Sequence, residues 1–149
     1  MIARARRHFV HYIIRRMTTA QHSLLLFRPD VLLRLEGLFE LVLVGVAYQH
    51  IYPGRWGFFA LLFLAPDLSL LPYLHSQGKF SAALYNSAHN YVLPLALGLG
   101  AWRWGWPLGG RLALIWIAHI GFDRVLRFGL KFPGEFKLTH IQACASPAK

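Results

Sequence analysis

Four of the six acids in this chain, Glu36, Glu40, Asp67 and Asp123, fall inside long apolar runs, together with Asn86, His89, His119, Arg34 and Arg124. An ionised side chain near the middle of a spanning helix costs about 2.5–3.5 kcal/mol on insertion scales, so such residues face a bundle interior and mark a site or a paired network. Imidazole and carboxylate donors from facing helices are how bundle cores hold a divalent metal. On that reading His89, His119 and Asp123 are ligands, Glu40 and Asp67 act as ligand or general base, and Arg124 steadies an anion. A water in one ligand position would supply the nucleophile for a hydrolysis. Four acids against Arg34 and Arg124 leave a formal −2, which a divalent cation neutralises.

Two other readings use the same residues. In one the layer is a structural network, with Arg34 and Arg124 pairing the acids and the histidines donating to carbonyls. The chain would then be a non-enzymatic accessory subunit of a larger membrane complex. In the other it is a proton or small-ligand site, because histidine titrates in the useful range and acid–histidine chains relay protons. Ser69 and Ser87 lack the GxSxG context of a serine nucleophile. Acids crowd the level at which His89 and His119 would have to hold a haem. Nothing matches a P-loop or a dinucleotide fingerprint.

These side chains converge only if the elements carrying them do. Four stretches reach the length that a ~30 Å hydrocarbon core demands: 31–51, 57–74, 82–102 and 109–130. They are separated by Tyr52-Pro53-Gly54-Arg55, by His75-Ser76-Gln77-Gly78-Lys79 and by Trp102-Arg103-Trp104-Gly105-Trp106-Pro107, links short enough to force antiparallel neighbours. Counted from the cytoplasmic end of each helix, the polar residues share one layer roughly 6–16 Å deep at ~1.5 Å per residue. Glu36 and Glu40 are spaced i,i+4, Asn86 and His89 i,i+3, and His119 and Asp123 i,i+4, each pair on one helical face. Pro66, lacking an N–H, loosens the helix beside Asp67. The expected fold is all-α: a four-helix transmembrane bundle over 31–130, an amphipathic basic arm over 1–30 and a cytoplasmic tail over 131–149.

Composition agrees with a membrane solvent. The chain is 56% hydrophobic and 15% charged, with a formal charge of +10. Its Lys and Arg residues flank apolar runs rather than clustering on one soluble face, which argues against nucleic acid as a partner. Arg4, Arg6, Arg7, Arg15, Arg16, Arg28 and Arg34, with Lys79, Arg127, Lys131, Lys137 and Lys149, fall on one side; Arg55, Arg103 and Arg111 fall on the other. That asymmetry predicts a multi-pass protein of the inner (plasma) membrane with both termini cytoplasmic. Residues 4–17 predict a helix lying on the bilayer and meeting anionic headgroups. Trp56, Trp102, Trp104 and Trp106 predict an aromatic belt at the outer interface. The one cysteine, Cys144, permits no intramolecular disulfide.

The strings RLEGL (Arg34 to Leu38), FLAPDLSLLPYL (Phe63 to Leu74), YNSAHNYVLPL (Tyr85 to Leu95), WIAHIGFDRVLRFGLKFP (Trp116 to Pro133) and FKLTH (Phe136 to His140) resemble a family of small bacterial membrane proteins known as domain of unknown function 4260. The resemblance implies a multi-spanning membrane protein and supplies no reaction. Two departures stand out: Arg127-Phe128 where the family pattern has Gly-Tyr, and Leu138 where it has an acid. The order Asp, His, then His-x3-Asp is also similar to that of proteins described as metal-dependent hydrolases of the bacterial inner membrane.

Overall fold

The computed structural model describes residues 28–133 except 77, together with 139. The expected interfacial helix at 4–17, and the tail beyond 133 other than Thr139, lie outside the described residues. Among those described, the chain is all-helical apart from one isolated antiparallel bridge between Lys131 and Thr139. The elements are α1 (Pro29–Ile51), α2 (Trp56–Phe63), a 3-10 segment (Ala65–Leu74), α3 (Lys79–Ala88), α4 (Val92–Arg103) and α5 (Pro107–Val125).

Proline starts both long helices. Pro29 and Pro107 stand in the first turns of α1 and α5, where a missing N–H costs no intrahelical bond. The turns before α2 and α5 pass through Gly54 and Gly105 at positive φ, 73° and 62°, a region in which an added Cβ is strained. These two turns meet, because the Tyr52 hydroxyl donates to the Pro107 carbonyl at 3.0 Å.

Two of the four expected continuous stretches are divided. The second changes from α to 3-10 geometry at Leu64, since Pro66 and Pro72 both lack the N–H that an α-helix would use. Ten residues is long for a 3-10 run, which usually ends within a turn or so. The third breaks at His89-Asn90-Tyr91. Pro94 would press its ring on the Asn90 carbonyl if the helix ran through. Instead the Asn90 amide nitrogen donates to the Asn86 and Ser87 carbonyls, at 2.6 and 3.0 Å, and its Oδ1 accepts from the Val92 N–H at 2.9 Å. One side chain thus closes α3 and opens α4. The fourth stretch ends at Val125, short of residue 130.

α5 is the central helix, with α1 and α4 packed along it and α2 touching it, while the 3-10 segment packs on α3. α1 and α5 cross at glycine. A Cβ on Gly37 would lie 2.7 Å from the Gly121 carbonyl oxygen, and one on Gly121 would lie 3.1 Å from the Gly37 carbonyl oxygen. Small residues let two backbones approach this closely.

Among the described residues one helical run, Trp56–Leu74, is long and apolar enough to cross a membrane: 19 residues, mean hydropathy 1.6 in its best window, 6% of that window buried. A core helix of a soluble protein would be mostly covered. The exterior elsewhere also carries large apolar side chains, among them Phe39 (71% exposed), Phe80 (75%) and Val92 (72%).

Candidate metal centre

Four donors meet where α5, the end of α3 and the 3-10 segment come together. His89 sits at the C-cap of α3 because the helix breaks there. Its Nδ1 lies 2.9 Å from the Tyr85 carbonyl; a carbonyl only accepts, so Nδ1 carries the proton and Nε2 presents its lone pair. The Tyr85 ring stacks on the imidazole, with centroids 3.8 Å apart. Arg124 donates to the His89 carbonyl at 3.2 Å. His119 comes from the middle of α5, edge-on to the Phe63 ring at 5.5 Å. Its buried Nδ1 makes no well-formed hydrogen bond, the Phe63 carbonyl being the acceptor in its neighbourhood. Both histidines are 1% exposed.

The two Nε2 atoms lie 3.3 Å apart. Asp67 Oδ1 is 3.4 Å from His89 Nε2 and 3.5 Å from His119 Nε2. Asp123 Oδ2 is 3.5 and 3.9 Å from the same two nitrogens. Tetrahedral ligands on bonds of ~2.0–2.2 Å sit about 3.3–3.6 Å from one another. Four of the five donor–donor separations fall in that range and the fifth exceeds it by a few tenths of an ångström. Asp67, His89 and His119 form the tight triplet, their ligand atoms all within 4.8 Å of one another. Asp123 joins it from one turn along α5.

The centre opens into a cavity of about 600 Å³, into which Asp67, His119, Asp123, Tyr85 and Lys131 face together with apolar residues. The Asp67 side chain is 39% exposed there, that of Asp123 only 10%. Lys131 lies over the rings of Tyr73 and Tyr85, at 5.1 and 4.9 Å from their centroids. Burial lowers its pKa, and the carboxylates of Asp123 and Asp67 oppose that shift.

The structure brings together Asp67, His89, His119 and Asp123, and leaves the other expected members of the layer apart. Glu40 accepts a 2.6 Å hydrogen bond from the Tyr91 hydroxyl and lies beside Gly121, in the α1–α5 seam. Arg124 spends its guanidinium on the carbonyls of Phe128 and His89, so it positions the end of α5 and pairs with no acid of the cluster. Arg34 donates to the Val125 carbonyl at 3.0 Å, and Glu36 is exposed. The formal −2 therefore belongs to Asp67 and Asp123 alone. Asn86 pairs with the Lys131 backbone in both directions, at 2.7 and 3.0 Å. Its task is to pin the segment after α5 against α3.

Sequence reasoning missed three participants. Lys131 lay just beyond the last apolar run and was counted only as topology charge. Tyr85 is an ordinary aromatic by type, and only the i,i+4 spacing to His89 marks it. Asp30, 2% exposed, pairs with Arg28 at 3.0 Å and Arg127 at 3.4 Å, fastening the start of α1 to the end of α5; its place at a helix start was the available signal.

These features define a class, a small all-helical bundle built around a buried acid–histidine centre. The chain belongs to the family described as Domain of unknown function (DUF4260), whose model matches residues 30–144. No curated protein and no solved structure matches it.

Proposed function

We propose that this chain is a multi-pass membrane protein that binds a divalent cation through Asp67, His89 and His119 and uses it for hydrolysis of an amphiphilic substrate. The observation that carries this reading is the set of short separations among the donors, 3.3–3.5 Å within the triplet, with the Nδ1–H of His89 already anchored on a carbonyl. A divalent cation held by these three side chains would supply an acidified water for hydrolysis, as three-ligand catalytic zinc sites do. Asp123, one turn along α5 from His119 and facing the same cavity, would be the carboxylate suited to accept a proton in that chemistry. Nitrogen and carboxylate donors suit zinc, iron or manganese. The membrane part of the reading is supported by the apolar exterior, by the Trp56–Leu74 run and by the asymmetry of Lys and Arg.

Elemental analysis of detergent-purified protein tests it. Near-stoichiometric zinc, manganese or iron is expected in the wild type, lost in His119→Ala and Asp67→Asn. Asp123→Asn should keep most of the metal and lose hydrolysis. Folded wild type that takes up no metal after supplementation would sink the proposal and leave the acid–histidine group as an ion-pair network in an accessory subunit.

A further inference from the structure

Arg111 stands at the end of the bundle away from the metal centre, one turn into α5. Its guanidinium lies over the Tyr52 ring, 4.8 Å from the centroid, and over the Phe58 ring at 5.4 Å. Aromatic faces hold a guanidinium plane and leave its N–H donors to be met at the edge. Arg111 Nε is buried and makes no hydrogen bond, and among the described residues no acid pairs with it. The sequence offers none nearby: no Asp or Glu occurs between Glu40 and Asp67 or between Asp67 and Asp123. Arg55, before α2, and Arg103, which ends α4, add positive charge at the same end. Unmet donors beside hydrocarbon are costly, so an anion is favoured there.

An apolar groove of about 470 Å³ continues from this point. α2 and α5 both run away from the turns joined at Tyr52 and Pro107. Leu62 therefore lies one turn beyond Phe58, and Ile115 one turn beyond Arg111. Both line the groove, as does Leu112 next to Arg111. The 3-10 segment, α3 and α4 form its other sides through Leu68, Leu84 and Leu97. Leu68 is 64% exposed and Leu84 40%, so the groove opens sideways to the exterior.

We propose that Arg111 and this groove hold one anionic phospholipid, its phosphate met by the guanidinium edge and one acyl chain lying between α2, the 3-10 segment, α3, α4 and α5. The planar fork of arginine matches phosphate oxygens. The volume suits a single chain, since pockets for one small ligand run to about 300–1,000 Å³. A head that carries its own cation gains less, because Arg55 and Arg103 repel it and no acid receives it. The inference needs no metal; it rests on the membrane part of the proposed function.

Native mass spectrometry of the full chain in a neutral detergent, exposed to equimolar lipids, reads the bound lipid as a mass increment. Dioleoyl phosphatidylglycerol should be retained above dioleoyl phosphatidylcholine, and dioleoylglycerol should be retained about tenfold less than phosphatidylglycerol, the worth of one charge-assisted bond. Arg111→Met should erase the differences and Arg111→Lys should keep most of them. Arg103→Met, at the end of α4, should leave them unchanged. Ala65→Phe, which fills the groove from an exposed position on its wall, should lower retention of phosphatidylglycerol several-fold with Arg111 intact. The wild-type comparison stands without any variant: phosphatidylcholine or dioleoylglycerol retained as well as phosphatidylglycerol overturns this inference alone. So does Arg111→Met or Ala65→Phe indistinguishable from wild type. Wild type recovered folded in the soluble fraction without detergent overturns the membrane reading and this inference with it.

Discussion

Arg127 is a residue with a side chain held, among the described residues, in a backbone region that favours glycine. After α5 ends at Val125, Arg127 takes φ 67°. The Arg127 N–H bonds to the Arg124 carbonyl at 3.1 Å and the Phe128 N–H to the Asp123 carbonyl at 2.7 Å. This is the Schellman arrangement, which favours glycine at the left-handed position. The arginine accepts strain of about 1 kcal/mol and in exchange reaches buried Asp30 at 3.4 Å. Arg127→Gly should therefore lose the ion pair but relieve the strain, whereas Arg127→Ala loses the pair and keeps the strain. Denaturation midpoints in detergent should place the glycine variant above the alanine variant by about 1 kcal/mol; the reverse order would contradict the left-handed backbone. At this scale the sequence was informative where residue type alone marks an anomaly. Asp67, His89, His119 and Asp123 were all legible as polar groups in apolar runs. Lys131 was not, because a lysine after a helix is usual and only the Asn86 contact makes it part of a site.

The positions of the donors depend on how the elements end and cross. Depth counted along continuous helices put seven polar side chains in one layer, yet the helices are not continuous. His89 reaches the centre because α3 stops, and Asp67 because the chain tightens to 3-10 geometry around Pro66 and Pro72. Asn90 followed by Pro94 was a visible signal of the first break. The length of the 3-10 run was not visible, since proline marks a disturbance without stating its geometry. Helical facing decided Glu36: α1 buries Asp30, Gly37, Val44 and Tyr48. Glu36 is turned ~100° from Gly37, and Glu40 only ~60°. The i,i+4 spacing held both acids near one face without saying which edge of it met α5. The crossing itself rests on Gly37 and Gly121. A methyl at Gly37 would overlap the Gly121 carbonyl oxygen and the Arg124 Cβ, so Gly37→Ala should lower stability by about 1–3 kcal/mol. Gly45→Ala, on the same helix with open space around it, should change it little. Because α1 gives no donor to the triplet, the folded fraction of Gly37→Ala should retain its metal. Equal midpoints for the two variants would refute the close crossing.

Across the whole molecule, the distribution of apolar and charged groups runs opposite to that of a soluble fold. The buried residues include Asp30, His89, His119 and Asp123, while Phe39, Leu61, Phe80 and Val92 face outward. Large contiguous apolar surface is uncommon on a soluble monomer, and in the proposed reading a bilayer covers these side chains. Among the described residues, hydropathy alone singles out only Trp56–Leu74. α1 carries Asp30, Arg34, Glu36 and Glu40, and α5 carries Arg111, Asp123 and Arg124, so charged residues, most of them outside the site, lower the hydropathy of both helices. What orients the bundle in the proposed reading is the excess of Lys and Arg in the sequence before α1, at Lys79 and in the sequence after α5. The opposite end gathers Trp56, Trp102, Trp104 and Trp106 around the joined turns at Tyr52 and Pro107. Cys144 is the one thiol in the sequence and reports on this without engineering. In intact cells a membrane-impermeant maleimide should leave Cys144 unmodified, and the same reagent should modify it once the membrane is permeabilised. An Arg55→Cys variant in a Cys144→Ser background should show the opposite pattern. If Cys144 reacted in intact cells while residue 55 stayed protected, the orientation would be inverted. The candidate metal centre, carried by α5, the end of α3 and the 3-10 segment, would then open to the outer face.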